Sequence, residues 1–294
     1  GSGAVCLSLL KYLPKLQAET VDISPEAIEV AQANARQLEV VSSVSVGYDN
    51  YDVDYFNERG IMLTNTPDVD YYVAFDNFKV GELQGQALLD GLAKRSGHAA
   101  PWNIELFSGS PDDANSAVFF NGAMKVLQPK IDDGTLVVVS GQKDFTQAAT
   151  PDWDNSKAQA RMDSLLSGFY DGKKIDGVLS PNDGIARAIL TSAQQAGQDQ
   201  PVVTGLDAEN ESVKWIWEGK QYSTVAKPTD LLVGRTIELI QTAQKGEALP
   251  AGDDTANNGV VDVPIFQLDP VVVTKANIKD VFANDPERLA LLQD

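Results

Sequence analysis

From Asp70 onward, short β-branched apolar runs alternate with helical stretches, and this rhythm constrains the fold more than any other feature. Parallel neighbours cannot be joined by a tight turn; each needs a crossover, usually a helix, so the pattern implies parallel sheets with helices on both faces. Strands are expected over 70–75, 103–107, 136–141, 177–180, 202–205 and 222–225. Helices are expected over 78–92, 114–127, 156–168, 184–196, 212–218 and 231–245, followed by a β-rich tail around 260–273. Upstream, 4–13, 25–38 and 51–59 have helical spacing, and 18–23, 40–46 and 61–64 read as strands. Ser24 and Pro25 supply a cap and a first-turn proline. The fold class expected is α/β, with two doubly wound parallel-sheet lobes. One lobe comprises residues 1–100 plus about 229–260, the other 101–228 plus about 261–294.

Charge and reactive residues narrow the function. Asp and Glu number 42 against 23 Lys and Arg, a formal charge of −19, which repels phosphate backbones and anionic lipid but not a neutral ligand. Cys6 is the only cysteine, so no intramolecular disulfide can form. His98 is the only histidine and sits in a segment of loop composition, where it is expected to be solvated. One His and one Cys cannot build a zinc cluster, and a Ser-His-Asp triad would need His98 itself. Neither catalysis nor a metal or cofactor is expected. No run reaches the roughly 18 apolar residues of a membrane span. Ala4–Leu10 lacks the flanks of a signal peptide, so the chain as given is expected to be cytosolic if expressed.

Two N-terminal segments carry motifs. Gly1-Ser2-Gly3-Ala4 before a helix, then Val21-Asp22-Ile23, resembles the start of a class I methyltransferase of the release-factor glutamine type. Asp22 stands where that family holds the cofactor ribose, but the Asn-Pro-Pro-Tyr motif is missing. Val41–Asn50, Asn57–Ile61 and Asn65-Thr66-Pro67 resemble a piece of a D-2-hydroxyacid dehydrogenase, without its Gly-x-Gly-x-x-Gly fingerprint or its Arg, Glu and His set. Each lacks its catalytic half, so both read as Rossmann/flavodoxin-like replacement parts of one lobe.

Residues 69–294 resemble the periplasmic monosaccharide-binding proteins of ABC importers, in the multiple-sugar and xylose-binding branch. The segments that carry the resemblance are Asn103–Phe107, Gly109–Asp113, Ala158–Asp163, Val178–Asp183, Gly205–Ala208 and Tyr222–Pro228. It implies a periplasmic binding protein type I-like fold, a periplasmic setting, a permease partner in the natural relatives, and a small aldose ligand of the arabinose, xylose, glucose or galactose type. Joining this family to the two others at 40 and 68 implies a chimera, of engineered origin.

An aldopyranose presents an apolar C–H face and a ring of hydroxyls, so its site needs a flat aromatic ring and short polar groups. By resemblance Trp153 stacks on the sugar. Asn182, Asp207 and Lys227 follow three successive strands at their C-terminal ends, where doubly wound sheets place ligands. Asn115 is the fourth polar contact, with helix capping as its alternative. Asp183 either helps or only caps the next helix. Asp112 and Asp113 read as caps or solvated charges, Trp215 and Trp217 as packing or surface residues, and Trp102 as core.

The same relatives also grip the sugar with basic and aromatic residues after the first strand and an Asp-Arg pair after the fourth. Here the fourth strand ends in Thr64-Asn65-Thr66-Pro67 with no Arg, and Asp68 or Asn65 does not replace a guanidinium fork. The expectation is a non-enzymatic sugar-binding protein with weakened affinity. The alternatives are a folded scaffold without ligand and a residual S-adenosylmethionine-binding fragment.

Overall fold

The computed structural model describes residues 71–257 and 262–292, together with the strand backbone at 18–19, 40–42 and 62–64. The helices expected over 4–13, 25–38 and 51–59 lie outside the described residues. In chain order the elements are β1 (Ala18–Glu19), β2 (Val40–Ser42), β3 (Met62–Thr64), β4 (Tyr72–Phe75), α1 (Asn77–Arg95), β5 (Trp102–Leu106) and α2 (Ala114–Asp132). There follow β6 (Leu136–Val138), α3 (Phe145–Ala148), a 3-10 turn (Pro151–Trp153), α4 (Asn155–Phe169), β7 (Gly177–Leu179), α5 (Asp183–Gln195), β8 (Val202–Val203) and α6 (Asn210–Glu218). The last are β9 (Ser223–Ala226), α7 (Thr229–Gln244), β10 (Asp254–Asn257), β11 (Asp262–Leu268), β12 (Val271–Thr274), α8 (Ile278–Val281) and α9 (Pro286–Ala290).

The chain forms two compact units: residues 1–75 with 228–268, and residues 76–227 with 269–294. In the first unit β1, β2 and β3 pair in parallel, with Ala18 opposite Val40 and Val40 opposite Met62. β11 runs parallel to β4, Phe266 opposite Val73, and β10 closes on β11 antiparallel. α7 buries Leu232 and Leu239 against Val73 and Phe266, and the Arg235 guanidinium lies 4.6 Å over the Phe266 ring.

The second unit has a parallel sheet in the order β6-β5-β7-β8. Side chains alternate across a strand, so Leu179 and Val202 pack toward α1 and α2, whereas Val178 and Val203 pack toward α4 and α5. Burial on both faces is why these strands read as unbroken apolar runs. Beside them β9 and β12 pair antiparallel and pack with α6, α8 and α9 through Val213, Ile216, Ile278 and Phe282. β9 continues the sheet through single bonds, Tyr222 N to Val203 O at 3.2 Å and Val225 N to Gly205 O at 3.2 Å.

Helices α1 and α2 meet backbone to backbone. A Cβ on Gly81 would stand 1.9 Å from the Phe119 carbonyl oxygen, and one on Gly122 would stand 2.1 Å from that of Phe78. Only glycine allows this approach. α2 also runs past its expected end at Leu127, carrying Pro129 inside the helix, because the following Ile131 is buried in the core. Burial of that side chain outweighs the lost N–H.

His98 is the exposed loop histidine expected from its surroundings, its side chain 45% exposed, and it is also paired. Its Nε2 lies 2.9 Å from Oδ1 of Asp176, a carboxyl only 1% exposed, and its Nδ1 lies 2.8 Å from the Ala99 carbonyl. Asp176 also accepts the Asn103 amide at 2.8 Å, so the pair ties the entry of β5 to the segment before β7. No helix among the described residues is long and apolar enough to cross a membrane.

Candidate functional site

The C-terminal ends of β7, β8 and β9 lead into three polar side chains. Asn182 follows β7 and is the N-cap of α5, its Oδ1 accepting the Ile185 amide at 2.9 Å. Asp207 follows β8 in a turn where Asp207 (φ +91°) and Ala208 (φ +50°) are both left-handed, an arrangement that non-glycine residues adopt only when their surroundings hold it. Lys227 follows β9 directly. Its Nζ lies 3.3 Å from Asp207 Oδ1 and 5.6 Å from the centre of the Phe119 ring, with both charged groups partly exposed.

Phe119 belongs to a cluster with Val80, Leu206 and Val225, against which Trp153 packs. The indole is therefore continuous with the ring beneath Lys227. Asn115, in the first turn of α2, donates its amide to Asp113 Oδ1 at 2.8 Å, and its side-chain oxygen accepts from Asn77 Nδ2 at 2.9 Å. Trp153, Asn115, Asp207 and Lys227 are thus linked through shared neighbours within the second unit.

Asp183 is placed differently. It is fully buried, with Oδ1 accepting from Gln221 Nε2 at 2.8 Å and Oδ2 from the Glu209 amide at 2.9 Å. Its own amide donates to Leu206 O at 3.1 Å. Burial pushes its carboxyl up to about 7 against the pull of the Gln221, Glu209 and Thr224 donors. Both carboxylate oxygens of Asp183 are thus engaged within the protein, and Asp183 holds the 206–209 turn that carries Asp207. Gly205 must lack a side chain, because a Cβ there would fall 2.0 Å from Asp183 Oδ1.

Two functional neighbours escaped the sequence reading. Gln84 of α1 is 2% exposed and points its Nε2 at three carbonyls, Ser180 O (3.3 Å), Pro181 O (3.1 Å) and Gly205 O (3.1 Å). It joins the loops that carry Asn182 and Asp207. A lone glutamine among helix-forming residues gives no local signal of this. Asp113 does more than cap α2, since its Oδ2 also accepts the Trp153 indole N–H at 3.2 Å. Trp215 is turned instead to Glu211, 2.7 Å from its Nε1, and Trp217 packs on the cluster around α8.

The set offers amide, carboxylate and ammonium groups beside two aromatic rings, which suits a polyhydroxylated neutral ligand. His98 lies before the N-terminal end of β5, and so away from the strand ends where these groups emerge. Among the described residues no group of three or more His, Cys, Asp or Glu could hold a metal ion.

Residues 22–248 match the family model described as "Periplasmic binding protein domain". The chain belongs to the periplasmic binding protein family. This binding protein is 46% identical over 282 residues to the multiple sugar-binding periplasmic protein SbpA of Azospirillum brasilense, covering 91% of this chain and 79% of that one. It is also 46% identical over 226 residues to the multiple sugar-binding periplasmic receptor ChvE of Rhizobium radiobacter, where the match spans 75% of this chain and 64% of ChvE, just under two thirds of its length. Among solved structures, a solute-binding protein of an ABC transporter from Clostridium phytofermentans with bound β-D-glucose superposes with a TM-score of 0.82 at 29% identity, covering 99% of this chain and 94% of the other. The type I fold expected from the sequence is the fold observed.

Proposed function

We propose that this binding protein holds a neutral aldose monosaccharide without transforming it, as a solute receptor of the ABC-importer type. The observation that carries the reading is the Asp207–Lys227 pair, partly exposed at 3.3 Å above an aromatic floor that runs from Phe119 to Trp153. The pair offers charge-assisted acceptors and donors to sugar hydroxyls, and the indole offers its face to the C–H side of a pyranose. Asn182 and Asn115 supply further amide contacts. The glucose-bound relative and the two multiple-sugar relatives support the ligand class. By the same kinship the setting is periplasmic and the partner a membrane permease.

The finer reading is that affinity is weakened and that residues 1–40 and 41–68 are replacement pieces in a chimera. The departures at Thr64-Asn65-Thr66-Pro67 and the motifs at Gly1–Ala4 and Val41–Asn50 support it, while the family match already begins at residue 22 and weighs for a single history. Each hydroxyl left without a partner costs about 1–3 kcal/mol, so three or four missing contacts weaken a micromolar ligand to millimolar or beyond.

The test is thermal unfolding with and without arabinose, xylose, glucose and galactose. Ligand stabilises by RT ln(1 + [L]/Kd), so an upward shift with one sugar supports the reading and a titration gives its strength. A cooperative transition unmoved by all four sugars overturns it, and micromolar affinity overturns the weakened site.

A further inference from the structure

We propose that Asp113 is a positioning residue for the ligand, holding the Trp153 indole at a fixed angle through its second carboxylate oxygen. The inference rests on the sugar site proposed above.

The backbone that presents Trp153 adopts a conformation that its surroundings must support. Asp152 (φ +61°) and Trp153 (φ +54°) are two consecutive left-handed residues that are not glycine. They are kept there by two stitches to the loop before α2 and one bond within the turn. The Asp152 amide donates to Ser110 Oγ at 2.7 Å, the Thr150 amide to Gly109 O at 3.2 Å, and the Trp153 amide to Thr150 O at 3.1 Å. Gly109 gives the indole its seat, since a Cβ there would lie 2.1 Å from the far corner of the ring. Beneath the same seat Ser116 Oγ is buried with no hydrogen-bond partner.

These contacts, with the apolar clusters on which the indole packs, fix where the ring lies. The single polar contact of the indole is Nε1 to Asp113 Oδ2 at 3.2 Å. Asp113 is itself immobilised, because its Oδ1 accepts the Asn115 amide at 2.8 Å at the start of a 19-residue helix. One carboxylate thus sets both the ring plane and the turn that bears Asn115. A ring held before the sugar arrives has no rotamer freedom left to lose on stacking.

Asp113→Asn separates the two roles. Asparagine caps a helix about as well as aspartate, but its remaining Nδ2 faces the indole N–H donor to donor. The first reading needs no sugar: D113N changes tryptophan emission and raises its quenching by acrylamide, and neither change appears in the W153F background. The second is the sugar titration. D113N is expected to melt within a few degrees of the wild type yet bind about tenfold more weakly, and D113N/W153F to bind no more weakly than W153F alone. Asp113→Ser, which also caps the helix and is too short for the indole, repeats the test if D113N folds poorly. Wild-type emission and affinity in D113N, or losses that add in full in the double variant, overturn the proposal. If emission changes as expected while W153A leaves sugar affinity untouched, Asp113 does position the ring but the ring is not the stacking surface, and the site reading fails instead.

Discussion

His98 Nε2 and Asp176 Oδ1 stand 2.9 Å apart, and the other ring nitrogen of His98 faces the Ala99 carbonyl at 2.8 Å. Both neighbours are acceptors, so both nitrogens must carry protons, and the imidazolium is the form that fits. These hydrogen bonds, with Ala99 first and Asp176 next, raise the pKa of His98. A group whose folded pKa is raised stabilises the fold fully below its unfolded pKa and loses that contribution as pH climbs through the folded value. The melting temperature of wild type relative to His98→Gln is therefore expected to be highest near pH 5 and to fall as pH passes upward from about 6.5. A difference that does not vary with pH would contradict the pairing.

Asp183 moves stability in the same direction for another reason. Its carboxyl, buried at the base of the 206–209 turn, is pushed up to about 7, so ionisation works against the folded state between the unfolded value of about 3.9 and that point. Wild type is expected to lose stability relative to Asp183→Asn as pH rises from about 4 to 7 and to keep a constant difference above. Calorimetric melts of both proteins across that range decide it.

Removal of the Gln84 amide leaves the Pro181 carbonyl without its donor, while Ser180 O keeps the Thr204 hydroxyl at 3.1 Å and Gly205 O keeps the Val225 amide at 3.2 Å. Gln84→Leu is expected to destabilise by about 1–3 kcal/mol in denaturant unfolding. A cost under about 0.5 kcal/mol would mean that water serves the Pro181 carbonyl instead.

Lys227 and Asp207 are 28% and 45% exposed, so the pair is worth little to the fold. Lys227→Met should leave the melting temperature within a degree or two and still weaken sugar binding by about tenfold, the loss of one charge-assisted hydrogen bond. Equal losses of stability and affinity would assign Lys227 to the scaffold.

Gly109→Ala tests the seat of the indole without removing any polar group. The added methyl meets the Trp153 ring at 2.1–2.3 Å and Ser116 Oγ at 2.5 Å, so the ring must swing away. Sugar affinity should fall more than stability, because the far edge of a side chain yields more readily than backbone. Unchanged binding would place the stacking surface elsewhere.

The alternation of apolar runs was enough to read the parallel sheets, because strands buried on both faces leave continuous Val and Leu segments such as 177–180 and 202–205. The strand-end rule likewise singled out Asn182, Asp207 and Lys227 as candidates, and each does follow its strand, β7, β8 or β9, at the C-terminal end. What stayed hidden depended on partners far along the chain. Asp183 looks like its neighbour Asn182 in sequence and is separated from it only by which way the first turn of α5 faces. Asp113 announces a cap, and nothing local shows that its second oxygen meets a ring 40 residues later. Short elements such as α3 and β10 were missed because four residues carry too little periodicity to register.

The contact of Gly81 with Gly122 has one more consequence. Side chains can repack when a neighbour changes, but two main chains in direct contact leave nothing to repack. The middle of α2 is therefore a mechanical datum, and Asn115 and Asp113 lie upstream of it. Those two glycines are therefore expected to resist replacement, although neither is a candidate ligand contact.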